Sequence, residues 1–259
     1  MRFLAALSFL TITPLPLRRE INPEEVGRSI AYFPVVGLII GLILAGLNWL
    51  LSLFLPSAVV NGLLIVALVV LSGALHLDGF VDTCDGVAGH KTVEDRWRVM
   101  RDSRAGAFGI IGVFLLLLIK YVSLSSVPQG LMMMTLVLMP VVSRWAMVFA
   151  IFAYPYARLA GLGRAFKQGA SWQMFTIATV ITLAVAIGLS RLANISYYYL
   201  GGSAIILIIW VIVVAVATYL KGKFSGLTGD TYGAINELTE VFLLILVSLL
   251  AYNQWLWLA

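Results

Sequence analysis

Apolar residues fall along this chain in seven long stretches, 29–55, 58–77, 106–126, 130–153, 172–190, 197–220 and 234–258, separated by short polar segments. Each stretch holds the roughly 20 residues that a helix needs to cross the hydrocarbon of a bilayer. The pattern predicts an all-α, polytopic transmembrane bundle of about seven spans. It forms one integral-membrane domain over residues 1–259, with no internal repeat. The second span is expected to continue as helix beyond the lipid to about Gly86. Residues 1–28 are read as an interfacial segment leading into the bundle at 29–258. Their start is apolar with Arg2 near its head, but it ends at Pro14-Leu15-Pro16 and lacks the small-residue cleavage site of a signal peptide. Trp255, Trp257 and Tyr197 to Tyr199 read as interface anchors.

Composition sharpens this picture. Of 259 residues, 61% are hydrophobic and only 11% charged, against roughly 25% charged in soluble domains. Lipid is the solvent that suits such a chain. The single cysteine, Cys84, allows no intrachain disulfide. The net charge of +5 reads as cytosolic loops facing anionic lipid, with no nucleic-acid partner. Arg2, Arg18, Arg19 and Arg28 precede the first span, and Lys91, Arg96, Arg98, Arg101 and Arg104 follow the second. Arg158, Arg164 and Lys167 follow the fourth, and Lys221 and Lys223 the sixth. That places 14 of the 17 Lys and Arg on one side, leaving Arg191 opposite and Lys120 and Arg144 within spans. The expected orientation is N-terminus inside and C-terminus outside, in the cytoplasmic membrane.

The chain has only 12 acidic residues. Glu20, Glu24 and Glu25 precede the first span, and Glu94 and Asp95 read as solvated in the main cytosolic loop; the rest form three groups at the expected cytosolic span ends. The first is His76-Leu-Asp78-Gly-Phe-Val-Asp82-Thr-Cys-Asp85-Gly86. Positions i, i+4 and i+7 share one helix face within about 60°. At about 6 Å and an effective dielectric of about 20, each like-charged pair costs roughly 3 kcal/mol, unless a cation relieves it. Hard carboxylate oxygens suit Mg²⁺, Mn²⁺ or Ca²⁺ better than zinc, so Asp78, Asp82 and Asp85 are candidate metal ligands, with Asp102 as a helper. The plain alternative is a solvated helix end. The second group, Arg101-Asp102-Ser103-Arg104-Ala-Gly106-Ala-Phe-Gly109, joins two arginines, a hydroxyl and glycine N–H groups at a helix start. It reads as a phosphate clamp, or else as a basic anchor for the third span. The third group, Leu227-Thr-Gly-Asp230-Thr-Tyr-Gly-Ala-Ile-Asn236-Glu237-Leu-Thr-Glu240, enters the last span, where unpartnered glutamates are expensive. Asp230, Asn236, Glu237 and Glu240 are candidate substrate-binding residues. So is Arg144, which needs an anionic partner from protein or substrate. The segment Tyr154-Pro-Tyr156-Ala-Arg158 adds cations on the same face. His76 and Cys84 read as packed helix residues, and His90 as a loop residue.

Together these motifs resemble the cobalamin-5′-phosphate synthase family, also called adenosylcobinamide-GDP ribazoletransferases. The matching stretches are Phe9-Leu-Thr11 with Pro14-Leu-Pro16, the three acidic groups and Ser143-Arg144-Trp145, in the family's order along most of the chain. The resemblance implies a Mg²⁺-dependent transferase of a substituted phosphate group. A ribose hydroxyl of α-ribazole, or of its 5′-phosphate, is joined through phosphate to adenosylcobinamide, with adenosylcobinamide-GDP as donor and GMP as leaving group. In that chemistry the carboxylates hold the ion, the arginines clamp the diphosphate, and Asp82 is the favoured catalytic residue. Other partners expected are membrane lipid and a second copy of the chain or other cobamide-pathway enzymes. CDP-alcohol phosphotransferases do analogous chemistry with an Asp-rich motif, but here Asp82 stands where that motif has Ala and the spacing departs. Two other functions compete: a cation-coupled transporter and a phospholipid-head-group transferase. Acids at one face and the lack of an inverted repeat weigh against the transporter.

Overall fold

The computed structural model describes residues 2–13, 23–88, 92–158, 161–195 and 198–253. Pro14 to Pro16, Arg18, Arg19, Glu20, His90, Lys91, Tyr197, Trp255 and Trp257, which carry several sequence expectations, lie outside them. The described residues form helices and one isolated bridge, Tyr156 to Leu227. Helix α1 (Arg2–Leu10) packs on the bundle through Ala5, Ala6 and Leu10. Helix α2 (Pro23–Arg28) continues through a 3-10 turn into α3 (Phe33–Leu51). There follow α4 (Ser57–Leu71), α5 (Leu75–Val87), the short α6 (Val93–Val99), α7 (Ala107–Ser125) and α8 (Gln129–Ala153). After the short α9 (Leu162–Gly169) come α10 (Trp172–Leu192), α11 (Tyr198–Phe224) and α12 (Gly229–Tyr252).

Among the described residues, six helices are long and apolar enough to cross a membrane, and the bent pair α4–α5 makes a seventh if taken as one span. The sequence reading of about seven spans holds, with a correction to the second. That span does not run straight on to Gly86. Gly73 and Ala74 both take left-handed backbone conformations, with φ of 60° and 55°, and the chain bends by 89° between α4 and α5. Glycine adopts that conformation freely; Ala74 does so at a cost of about 1–2 kcal/mol. The bend lays α5 against the N-terminal halves of α7 and α12. The last helix also differs, starting at Gly229 rather than 234. Thr228 and Thr231 cap it reciprocally, each hydroxyl accepting the other's backbone N–H at 2.7 and 3.3 Å. The whole third acidic group is therefore helical.

Helix α8 is apolar nearly all round and sits at the centre, buried along most of its length. Gly37 and Gly41 of α3 let that helix close on it: a Cβ at Gly37 would come within 2.3 Å of the Pro140 carbonyl. This is the small-xxx-small contact of membrane helices, where close backbone approach replaces a hydrophobic driving force. Around the same core, α7, α8 and α12 share a buried charge cluster. Lys120 Nζ donates to Glu237 Oε2 at 2.6 Å and to Glu240 Oε2 at 2.7 Å. Arg144 pairs with Glu240, and Ser143 and Asn236 each donate to Glu240 Oε1 at 3.2 Å. Glu240 lies 11 residues into α12, about 16 Å from its start. Glu237 and Glu240 are thus not at the span end, as the sequence grouping had them, but deep in the bundle.

Two cations against two anions make this cluster formally neutral. Lys120→Met leaves one buried negative charge unpaired and is expected to cost about 3–5 kcal/mol. Adding Glu237→Gln restores the balance and should recover at least half of the loss. Unfolding in denaturing mixed micelles measures both; equal stability of the single and double variants would contradict the charge-balance account.

Candidate active site

The site begins at the crossing of α5 over the start of α12. A Cβ at Gly79 would lie 2.8 Å from the carbonyl oxygen of Asp230, and one at Gly233 would lie 2.9 Å from that of His76. Any larger residue at either point would hold the helices apart. With glycine the backbones touch, and Asp78 and Asp82 of α5 come beside Asp230 of α12. Asp82 lies within electrostatic reach of Asp230, Asp78, Arg158 and Asp85.

The loop after α8 delivers Arg158. Leu227 N–H donates to the Pro155 carbonyl, and Ala157 N–H donates to the Leu227 carbonyl, both at 2.8 Å. Gly226 has φ of 142°, and a Cβ there would lie 3.0 Å from Ala157 N and the Pro155 carbonyl oxygen, so glycine suits both the turn and the close approach. So tied, the loop places Arg158 Nη2 2.8 Å from Asp230 Oδ2. Burial pushes the Tyr156 phenol of this loop above its ordinary pKa. The loop then runs on to α9, whose Lys167 donates to the Ile151 and Phe152 carbonyls at 3.0 and 2.8 Å. Those are carbonyls from the last turn of α8, which lack helical partners; burial lowers the pKa of this ammonium. The result is a cavity of about 250 Å³ where α8 ends and α12 begins. Asp78, Asp230 and Arg158 line it, as do His76, Tyr156 and Tyr232 and the apolar Phe9, Leu75, Met147, Ile151 and Phe166.

The other sequence-selected residues fall elsewhere, each for a visible reason. Asp85 Oδ2 accepts the Gly106 N–H at 2.7 Å, and Oδ1 accepts the Gly109 N–H at 2.8 Å. Its carboxylate caps the start of α7, satisfying donors that a helix N-terminus leaves free. The three carboxylates on α5 therefore do not converge on one point, and those two glycine N–H groups are engaged by protein rather than open to phosphate. Asp102 accepts from Arg104 Nε at 3.0 Å and Nη2 at 2.9 Å. Those side-chain bonds, with the Arg104 backbone N–H, hold the Asp102 carboxyl down to about 2. Both partners are exposed, as are Arg101 and Ser103, so the segment is a polar rim before α7. Arg144, Asn236, Glu237 and Glu240 belong to the buried cluster; the anionic partner that Arg144 needed is Glu240 of the protein itself. Among the described residues, no three His, Cys, Asp or Glu side chains form a ready metal cage.

Sequence reasoning passed over His76 and Tyr232. Both are buried, and both nitrogens of His76 and the hydroxyl of Tyr232 lack hydrogen-bond partners. His76 also lies within electrostatic reach of Arg144, Glu240 and Lys120, so it stands between the cavity and the buried cluster. The available signal was its place two residues before Asp78 in an otherwise apolar turn. Arg158 had been noted only as one more cation.

Fold and site together define a polytopic helical membrane protein with a carboxylate-lined cavity at one end of its bundle. The profile of the family described as Cobalamin-5-phosphate synthase matches residues 2–248, and the chain belongs to that family. A protein of Geotalea daltonii named adenosylcobinamide-GDP ribazoletransferase is 38% identical over 243 residues, 94% of this chain and 95% of that one. One of the same name from Roseiflexus sp. is 37% identical over 95% of this chain and 88% of its own length. A third, from Desulforamulus reducens, is 34% identical over 94% of each chain. No solved structure matches the chain significantly.

Gly79→Ala is expected to force α5 off α12 and to destabilise the protein by about 1–3 kcal/mol, the usual cost of overpacking. Gly222→Ala in α11, where a Cβ meets nothing within 4 Å, should not destabilise. Comparison of the two melting curves in detergent checks this; equal stability would mean that the crossing is slack.

Proposed function

We propose that the chain is a membrane-bound ribazoletransferase, an enzyme that transfers a substituted phosphate group. It joins the cobinamide phosphate of adenosylcobinamide-GDP to a ribose hydroxyl of α-ribazole or α-ribazole 5′-phosphate. The hydroxyl oxygen bonds to that phosphorus, the diphosphate bond breaks and GMP leaves. The product is adenosylcobalamin or its 5′-phosphate. One observation carries the reading: in a chain of this family, α5 and α12 bring Asp78 and Asp230 together at a cavity beside Arg158, with Asp82 next to them and within electrostatic reach of all three.

These three carboxylates are hard oxygen donors and fit Mg²⁺, or Mn²⁺ in its place. Mg²⁺ is usually held by one or two protein carboxylates and completed by substrate phosphates and water, so it needs no closed protein cage. When bound, the ion neutralises the diphosphate and stabilises the leaving oxygen. Asp82, central among the acids, accepts the proton of the attacking hydroxyl. Arg158, oriented by Asp230, and Arg101, Ser103 and Arg104 from the rim bind phosphate oxygens. The exposed Arg104–Asp102 pair contributes little to stability, so Arg104 is free to exchange partners. The cavity faces the cytosol of the cytoplasmic membrane, because Arg96, Arg98, Arg101, Arg104, Arg158, Arg164, Lys167, Lys221 and Lys223 belong to segments at its end of the bundle. The transporter reading loses its best residues, since Glu237 and Glu240 are already paired with Lys120 and Arg144. A head-group transferase is separated by offering CDP-diacylglycerol as donor.

Purified protein given adenosylcobinamide-GDP, α-ribazole and Mg²⁺ should yield GMP and a product of the joined mass. Asp82→Asn is expected to slow turnover about 10²–10⁴-fold while the protein still inserts. EDTA should stop the reaction and Mg²⁺ restore it; product formation in chelator would end the metal reading. For orientation, Asp95→Cys on a Cys84→Ser background should react with an impermeant maleimide only after cells are opened. Labelling from outside intact cells would invert the bundle.

A further inference from the structure

The cavity has two unlike kinds of wall, and their chemistry indicates which part of which substrate enters. We infer that it is the pocket for the aromatic base and ribose of the acceptor nucleoside, rather than for the guanosine of the donor. This rests on the ribazoletransferase reading and extends it to the placing of one substrate.

Size sets the first limit. The cavity, about 250 Å³, is at the small end of small-molecule pockets, which run about 300–1,000 Å³. That suits a bicyclic base with part of its sugar better than a whole corrinoid macrocycle. Surface chemistry sets the second. Phe9, Leu75, Met147, Ile151 and Phe166 form an apolar wall, in which Phe9 and Phe166 are in ring contact at 4.6 Å. A dimethylbenzimidazole has a flat hydrocarbon edge and no exocyclic polar group, so it loses nothing against that wall. Guanine would press its carbonyl, ring N–H and amino group against hydrocarbon, at a desolvation cost that nothing there returns. The third limit is the pair of unsatisfied residues. His76 and Tyr232 are 1% and 2% exposed. Both ring nitrogens of His76 and Tyr232 Oη have no hydrogen-bond partner, a rare condition for buried polar atoms. Both residues border the cavity together with Asp78 and Asp230. A ribose supplies hydroxyls that both donate and accept, so they satisfy an imidazole and a phenol alike. With the base on the Phe9–Phe166 wall, the sugar lies toward the carboxylates, where its hydroxyl must react.

Leu75 is partly exposed at the cavity, so Leu75→Trp narrows the pocket without disturbing the core. Acceptor KM is expected to rise at least tenfold, with donor KM within twofold of wild type. Phe9→Ala, which removes half of the aromatic contact, should weaken acceptor in the same selective way and serves if the tryptophan variant does not fold. Binding of α-ribazole alone, without donor, is measured in parallel by calorimetry on detergent-solubilised protein, with guanosine as competitor. Wild-type binding that guanosine leaves unchanged and Leu75→Trp abolishes supports the pocket, whether or not turnover is seen. Displacement by guanosine, or a variant that raises donor KM instead, overturns it. Failure of wild type to make product, with α-ribazole binding intact, would count against the transferase reading alone. An α-ribazole 5′-phosphate arm reports whether the phosphorylated acceptor uses the same wall.

Discussion

The structure depends first on a neutral knot of charge in its middle. Lys120, Arg144, Glu237 and Glu240 come from α7, α8 and α12, and each ion is bonded to an opposite one. An isolated charge in hydrocarbon is costly, so any rotation or slip of one helix that broke a pair would strand its partner. The cluster therefore fixes the rotation of α12 about its axis. Asp230 and Gly233 stand about one to three turns earlier on that same helix. Once Glu237 and Glu240 are committed inward, the face that Asp230 and Gly233 present is no longer free to vary.

The second constraint is the break before α5. Had the second span continued straight, its carboxylates would have extended past the membrane with nothing to oppose them. Two left-handed residues, Gly73 and Ala74, turn the chain so that α5 meets α12 glycine against backbone at Gly79 and Gly233. Asp85 then anchors the far end of α5 to the start of α7, and Arg96 anchors it to α6 through the Gly86 and Val87 carbonyls at 2.9 and 2.7 Å. Each anchor uses a side chain to satisfy the open end of a helix, so the geometry of the site is bound up with the capping of its helices.

Much of this was legible from the residues, and the rest was hidden for identifiable reasons. The spans were legible because lipid demands long apolar runs, and run length needs no tertiary information. Asp78, Asp82 and Asp230 stood out because carboxylates at a membrane edge are rare, but that α12 would bring Asp230 to the other two was not legible. The break at Gly73 was not, since one glycine in an apolar run reads equally well as a packing residue. Nor was the task of Asp85: helix geometry puts it in line with Asp78 and Asp82, and only the neighbouring start of α7 draws it off. Arg144 showed that it needed an anion, but no spacing rule connects it to Glu240, 96 positions away. The Thr228–Thr231 cap was available in the sequence and would have moved the start of the last helix to Gly229.

These features divide the acids of one helix into two kinds. Glu237 and Glu240, with Lys120 and Arg144, sum to zero and are closed to solvent, so they require nothing further. Asp230, in the first turn at the open end, joins Asp78 and Asp82 against the guanidinium of Arg158, a formal surplus of two negative charges. Like charges at such range repel by a few kcal/mol per pair at an intermediate dielectric, and Arg158 relieves only part of that repulsion. The same chain supplies Lys120 and Arg144 where balance is needed for stability. A surplus left beside a cavity is what the proposed function requires, with a divalent ion to supply the missing positive charge. The buried knot is what allows that surplus to persist, because it holds α12 in place without help from the site.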